Sequence, residues 1–232
     1  MPDFPPPPRT LPPFVPAVLR HFREASPGVQ VELDEAGTAE LVEAVLLGRL
    51  DAAFVRSAIG AVTGMRVEAL LEEPMVAALP EGHRLAVGEE VPIPFTALAA
   101  EPFVLYRRRS GPGLYDAILA GCHEAGFVPM IVQEAPRLPA TLSLVAAGLG
   151  ISIVPSSMQY LRVAGIVFRD LGPPCLSAPI HLILRRVGPT ATATRFTAAA
   201  KSLAFVQGVG PKHNGEEVEA SRRVVRRRRG GT

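Results

Sequence analysis

The chain has 232 residues, 48% of them hydrophobic, and a mean hydropathy of +0.25. That length allows one domain or two small lobes, and that composition excludes wholesale disorder. No apolar run is long enough to cross a bilayer. Cys122 and Cys175 are too few for a disulfide framework, and the five scattered histidines form no HExxH or cysteine–histidine cluster, so neither a metal nor another cofactor is expected.

The net charge of +2 is unevenly spread. Residues 212–232 carry seven cations against Glu216, Glu217 and Glu219, a surplus of +4 that leaves −2 for residues 1–211. The body is therefore weakly acidic, which argues against a nucleic-acid-binding body. The start, with Asp3 and Pro5 to Pro8, lacks the basic and apolar regions of a secretory signal, and a cytoplasmic address with reduced thiols is the expectation.

Residues 1–13 hold seven prolines. Proline has no N–H to give a sheet, so residues 1–10 are expected to be polyproline-like or disordered. Phe14, Val15, Val18, Leu19 and Phe22 fall on one helical face, stopped by Ser26-Pro27-Gly28. Val29, Val31 and Leu33 alternate as a strand. Leu41, Val42, Val45 and Leu46 predict a helix capped by Thr38 and ended by Gly48. Strands are predicted over 51–55 and 72–79.

A second set follows: a strand over 103–106, a helix over 114–125, a strand over 128–133, a helix over 141–147 and a strand over 151–154. The chain closes with a strand over 180–184 and a helix over 192–205 whose buried stripe is Phe196, Ala200, Leu203 and Ala204. Residues 208–232 are expected to be a basic disordered tail, a translated extension before a nucleic-acid arm. Strand–helix alternation predicts an α/β fold of two lobes of mostly parallel sheet flanked by helices. Residues 11–84 with 179–207 would form the first lobe and 85–178 the second, joined by two hinge crossings.

In such sheets ligands sit beyond strand ends, at helix starts. Gly37 and Thr38 open one helix; Ser110, Gly111, Pro112, Gly113 and Leu114 open another. Free N–H groups and the helix dipole at both places suit an anion. Arg56 offers a guanidinium fork for a carboxylate, and Val55, Pro112 and Leu114 suit a ring or chain. The plainer readings are that Thr38 is only a cap, that Arg56 is a surface ion-pair partner and that Arg107 to Arg109 are solvated. Cys122 and His123 are adjacent on a helix and so diverge, and Ser156-Ser157 lacks a nucleophile elbow. Gly148 and Gly150 run from helix into strand, the wrong order for a phosphate loop. No convergent catalytic set emerges, and the chain is expected not to be an enzyme.

Four segments carry a resemblance. Ser26-Pro-Gly-Val-Gln-Val-Glu-Leu33 with Gly37-Thr38, then Leu47-Gly-Arg-Leu-Asp-Ala-Ala-Phe54, then Glu73-Pro-Met-Val-Ala-Ala-Leu-Pro-Glu-Gly-His-Arg-Leu85, then Leu144-Val-Ala-Ala-Gly-Leu-Gly-Ile-Ser-Ile-Val-Pro155 stand in the order of the effector-binding domain of LysR-type transcriptional regulators. The chain resembles this family over residues 12–207. The resemblance implies a periplasmic-binding-protein-like fold, a small anionic or aromatic effector between the lobes, and a homo-oligomer (a dimer, or a tetramer in full-length members). It is nearest to the branch answering to muconate or benzoate, in which Thr38, Arg56 and the Pro112-Gly113-Leu114 loop match effector contacts. Two departures are expected to matter. The family's winged helix-turn-helix has no counterpart here, so sequence-specific DNA reading would need it from elsewhere. The family's first strand should precede residue 11, where the prolines stand, which would leave its two neighbours with open edges in a truncated domain. A solute-binding protein of a transport system, with the same two lobes, is the alternative.

Overall fold

A computed structural model describes residues 13–56, 62–87 and 92–206. The proline-rich segment 1–10, Ser57 and the basic tail 208–232 lie outside the described residues.

Helix α1 runs Phe14–Ala25 and α2 Thr38–Leu46; strands β1 and β2 run Ala52–Val55 and Met65–Pro80. Then come β3 Pro102–Tyr106, α3 Pro112–Glu124, β4 Met130–Ala135, α4 Leu138–Ala146, β5 Ser152–Pro155, β6 Ile166–Asp170, β7 Ser177–Arg185 and α5 Ala191–Val206. Short 3-10 turns cover Phe95–Leu98 and Ser156–Leu161.

The pairing is mixed, not mostly parallel. β7 lies antiparallel between β1 and the first part of β2. From Met75 onward β2 changes partners and pairs antiparallel with β5 and β6. The parallel contacts are β3 with β4, and the bridges Phe103–Ile151 and Ile93–Leu171. The length of β2 explains the difference. Its sixteen residues cross from one sheet to the other, and β5, β6 and β7 all run antiparallel to it.

Each sheet is covered by helices whose apolar faces the spacing predicts. Phe14 and Val18 of α1 pack with Leu70, Leu71, Ile180 and Leu182 of the sheet and with Ala200 and Ala204 of α5. The largest cluster joins Leu79, Phe103, Leu105, Ile118, Ile151 and Ile153. Each such side chain, fully buried, contributes about 1.5–3 kcal/mol. Pro112, at the start of α3, sits where its missing N–H costs nothing.

Two expectations are corrected. The cap of α2 is Gly37, not Thr38: the Gly37 carbonyl accepts from Leu41, its N–H donates to the Glu40 carboxylate at 3.3 Å, and Thr38 is the first helical residue. The strand expected over Val29–Leu33 is absent. Residues 29–37 run as irregular chain, and among the described residues no backbone–backbone hydrogen bond joins 30–36 to a neighbour. Alternation alone makes no strand without a paired backbone.

Candidate functional site: a cleft at three helix starts

A cavity of about 390 Å³ opens where α2, α3 and α4 begin. Thr38 of α2, Ser110, Gly111 and Leu114 around the start of α3, and Leu138 and Pro139 of α4 line it, with Val55 and Arg56 at the end of β1. Local chemistry sets this arrangement. β1 and β3 are short apolar strands that deliver the chain to the same edge, and Pro112 and Pro139 each favour a helix start there. The positive ends of three helix dipoles thus share one hollow.

Five of the eight expected residues line the cavity: Thr38, Arg56, Ser110, Gly111 and Leu114. Gly37, Pro112 and Gly113 are not among the lining residues. Gly37 instead packs against Ser110, whose carbonyl oxygen would lie at ordinary contact, 3.4 Å, from an added Cβ. The Thr38 N–H donates to that carbonyl at 3.3 Å, so the α2 side and the α3 side touch directly. Gly111 is required by Tyr106, whose ring carbon would sit 2.0 Å from an added Cβ.

Arg56 is not a free guanidinium. It donates to the Glu73 carboxylate at 2.5 Å and to Ser157 Oγ at 3.5 Å. Glu73, only 5% exposed, also accepts from the Ser157 N–H and, at 3.4 Å, from Ser156 Oγ. One carboxylate in the middle of β2 therefore ties the end of β1 to the turn after β5. A second ion pair, Arg137 with Glu35 at 2.6 Å, spans the cavity rim. The Tyr106 hydroxyl, also in the lining, has its pKa raised, first by burial and then by the Glu35 charge.

Several lining residues lie outside the expected set: Glu35, Leu138 and Pro139, although they stand at helix openings, and Asp34, Tyr106 and Met158, which do not. Glu73 lies outside it too, since the sequence does not mark which of Glu72 and Glu73, side by side before Pro74, is buried. Ser156-Ser157 form the 3-10 turn that holds Glu73. Arg108 is held by Asp116 at the surface, with contacts of 2.8 and 3.1 Å. The Cys122 thiol is buried, and that burial pushes its pKa up to about 11, far from a nucleophile's.

An α/β fold with a cleft at helix starts is the architecture of a small-molecule-binding domain. The chain belongs to the LysR substrate binding domain family, whose model matches residues 7–204. It is 36% identical over 158 residues to the HTH-type transcriptional regulator TtuA of Agrobacterium vitis, covering 68% of this chain and 51% of that protein. It is 34% identical over 179 residues to the regulator CatR of Pseudomonas putida, covering 77% and 60%. The chain thus spans little more than half the length of these curated relatives. Among solved structures, the BenM effector binding domain with its effector benzoate superposes with a TM-score of 0.75 at 25% identity, covering 87% of this chain and 90% of that one. Full-length CbnR complexed with its target DNA gives 0.73 at 26% identity, covering 82% and 66%. These neighbours carry the periplasmic-binding-protein-like α/β fold, and the relatives are regulators, not enzymes. Among the described residues no helix is long and apolar enough to cross a membrane.

Proposed function

We propose that the cavity at the three helix starts binds a small anionic or aromatic effector, and that the chain is the non-catalytic sensing domain of an oligomeric, DNA-bound transcriptional regulator. The observation that carries this reading is the convergence of α2, α3 and α4 with Arg56 on one hollow lined mainly by apolar groups. Thr38 Oγ1 and Ser110 would donate to a carboxylate, Arg56 would share its fork between Glu73 and the ligand, and Leu114 with Val55 would hold a ring. Gly37, Pro112 and Gly113 shape the two helix starts without touching the ligand. Residues 11–84 with 179–207 would move as one lobe and 85–178 as the other. The change of partner in β2 and the link from β6 to β7 would be the crossings. A regulator of DNA acts in the cytoplasm, and its helix-turn-helix would come from a separate segment.

The neighbour solved with benzoate supports the choice of ligand class, as does the size of the cavity. Calorimetric titration with benzoate and with muconate tests it, saturable binding being the expected result. Arg56→Ala should weaken carboxylate binding by roughly 1.5–3 kcal/mol, the size of a lost charge-assisted hydrogen bond. An unchanged dissociation constant would place the ligand elsewhere.

A further inference from the structure

The charges of the cleft at the three helix starts are arranged for more than a carboxylate. Among the described lining residues Arg56 is the one cation, against Asp34 and Glu35. Glu73 already matches Arg56 at 2.5 Å, and Arg137 matches Glu35 at 2.6 Å. Asp34 is the charge left over, with neither hydrogen bond nor ion pair among the described residues. The two signs also sit at different depths. The side chains of Arg56 and Glu73 are 26% and 6% exposed, whereas Asp34 and Glu35 are exposed at the mouth. The chain around Asp34 is held from both sides. Arg137, the N-cap residue of α4, reaches the Glu35 carbonyl at 3.4 Å as well as its carboxylate, and Gly37 caps α2. The negative sign is felt inside. Burial and then the Glu35 charge raise the Tyr106 phenol pKa, and Arg137 opposes them less strongly. Helix starts attract a carboxylate, but their field fades within the first turn. Asp34, four residues before Thr38, is left unanswered by it.

We propose that the effector of this cleft is a zwitterion, a small and largely apolar amino acid whose carboxylate lies at the starts of α2 and α3 and whose ammonium group faces Asp34. The proposal rests on the reading of the cleft as the effector site and narrows its ligand class. An ammonium group carries three donors and gives Asp34 a charge-assisted hydrogen bond. Glu35 is the weaker acceptor because Arg137 already occupies it, so Asp34 sets the preference. The apolar body between the two charges meets Val55, Leu114 and Leu138. Discrimination comes from repulsion as well as attraction. A carboxylate without an amino group adds a second unanswered negative charge beside Asp34, and a dicarboxylate adds two. A merely solvated Asp34 would give no such preference.

The test titrates the full chain by calorimetry, near neutral pH, with two matched pairs of ligands. One pair is L-phenylalanine and 3-phenylpropionate; the other is 4-(aminomethyl)benzoate and benzoate. In at least one pair the amino member should bind about fivefold tighter, the size of a partly exposed ion pair. The difference should shrink at about 0.5 M salt, where exposed charges are screened. Asp34→Asn should abolish it, weakening the amino member and leaving its partner as tight or tighter. Asp34 is exposed and holds nothing in the fold, so the variant should melt with the unaltered chain. Equal or tighter binding of the plain carboxylate in both pairs would overturn the zwitterion and leave the effector reading standing. A preference for the amino member that survives Asp34→Asn would overturn it as well. Failure of all four ligands to bind would remove the effector reading, and the zwitterion with it.

Discussion

Glu101 sits between His83 and Arg84. His83 Nε2 lies 3.0 Å from its carboxylate, and Arg84 donates to its other oxygen. Burial pushes this carboxyl up, but the hydrogen bonds and charges of His83 and Arg84 together outweigh it and hold the pKa below the ordinary 4.5. A depressed carboxyl contributes stability above its unfolded value and loses it as pH falls through the folded one. Melting temperature should therefore fall as pH drops below about 4.5, and Glu101→Gln should reduce that acid dependence. The two thiols differ as sharply. Cys175 is exposed and Cys122 buried, so a thiol reagent at neutral pH should label one cysteine at once and the second only on unfolding. At Gly150 the constraint is space. A Cβ would fall 2.4 Å from the Pro102 carbonyl oxygen, which accepts the Ile151 N–H at 2.8 Å. Gly150→Ala should cost at least about 2 kcal/mol in denaturant unfolding, because the β3–β5 contact must open and its two backbone hydrogen bonds weaken. The order of Gly148 and Gly150 ruled out a phosphate loop. The packing role of Gly150 became visible only with Pro102 beside it.

The helices follow their sequence closely, because their information is local. The apolar face of α1, the stops at Gly126 and Gly148 and the stripe of α5 all come from residues within a few turns. Strands carry less of their own information. The alternation of Val29, Val31 and Leu33 predicts a strand, yet no described neighbour pairs with it, and Leu33 is 70% exposed. Ile166–Asp170 gives no alternation, yet pairs with β2 and becomes β6. The first half of β2 goes unread for the same reason, since β7 is what makes it a strand. Leu182 of β7, buried between α1 and α5, should cost about 2–5 kcal/mol as alanine in chemical unfolding. Phe205, exposed on the far face of α5, should change stability by no more than about 0.5 kcal/mol.

Across the whole molecule, β2 is shared. Residues 65–74 belong to the sheet of β1 and β7, and 75–80 to that of β5 and β6. Neither sheet can lose β2 without the other, so calorimetry should show one unfolding transition, and two separated endotherms would mean that the halves unfold independently. Sequence by itself determined the helices, the α/β class, the family and the approximate helix starts at Thr38 and Pro112, since caps, periodicity and glycine stops act over a few residues. Only the tertiary structure decided the mixed strand directions and the seizure of Arg56 by Glu73. Each of those depends on which distant backbone or charge comes within about 3 Å, and a hydrogen bond or ion pair has no signature along the chain until both partners are placed.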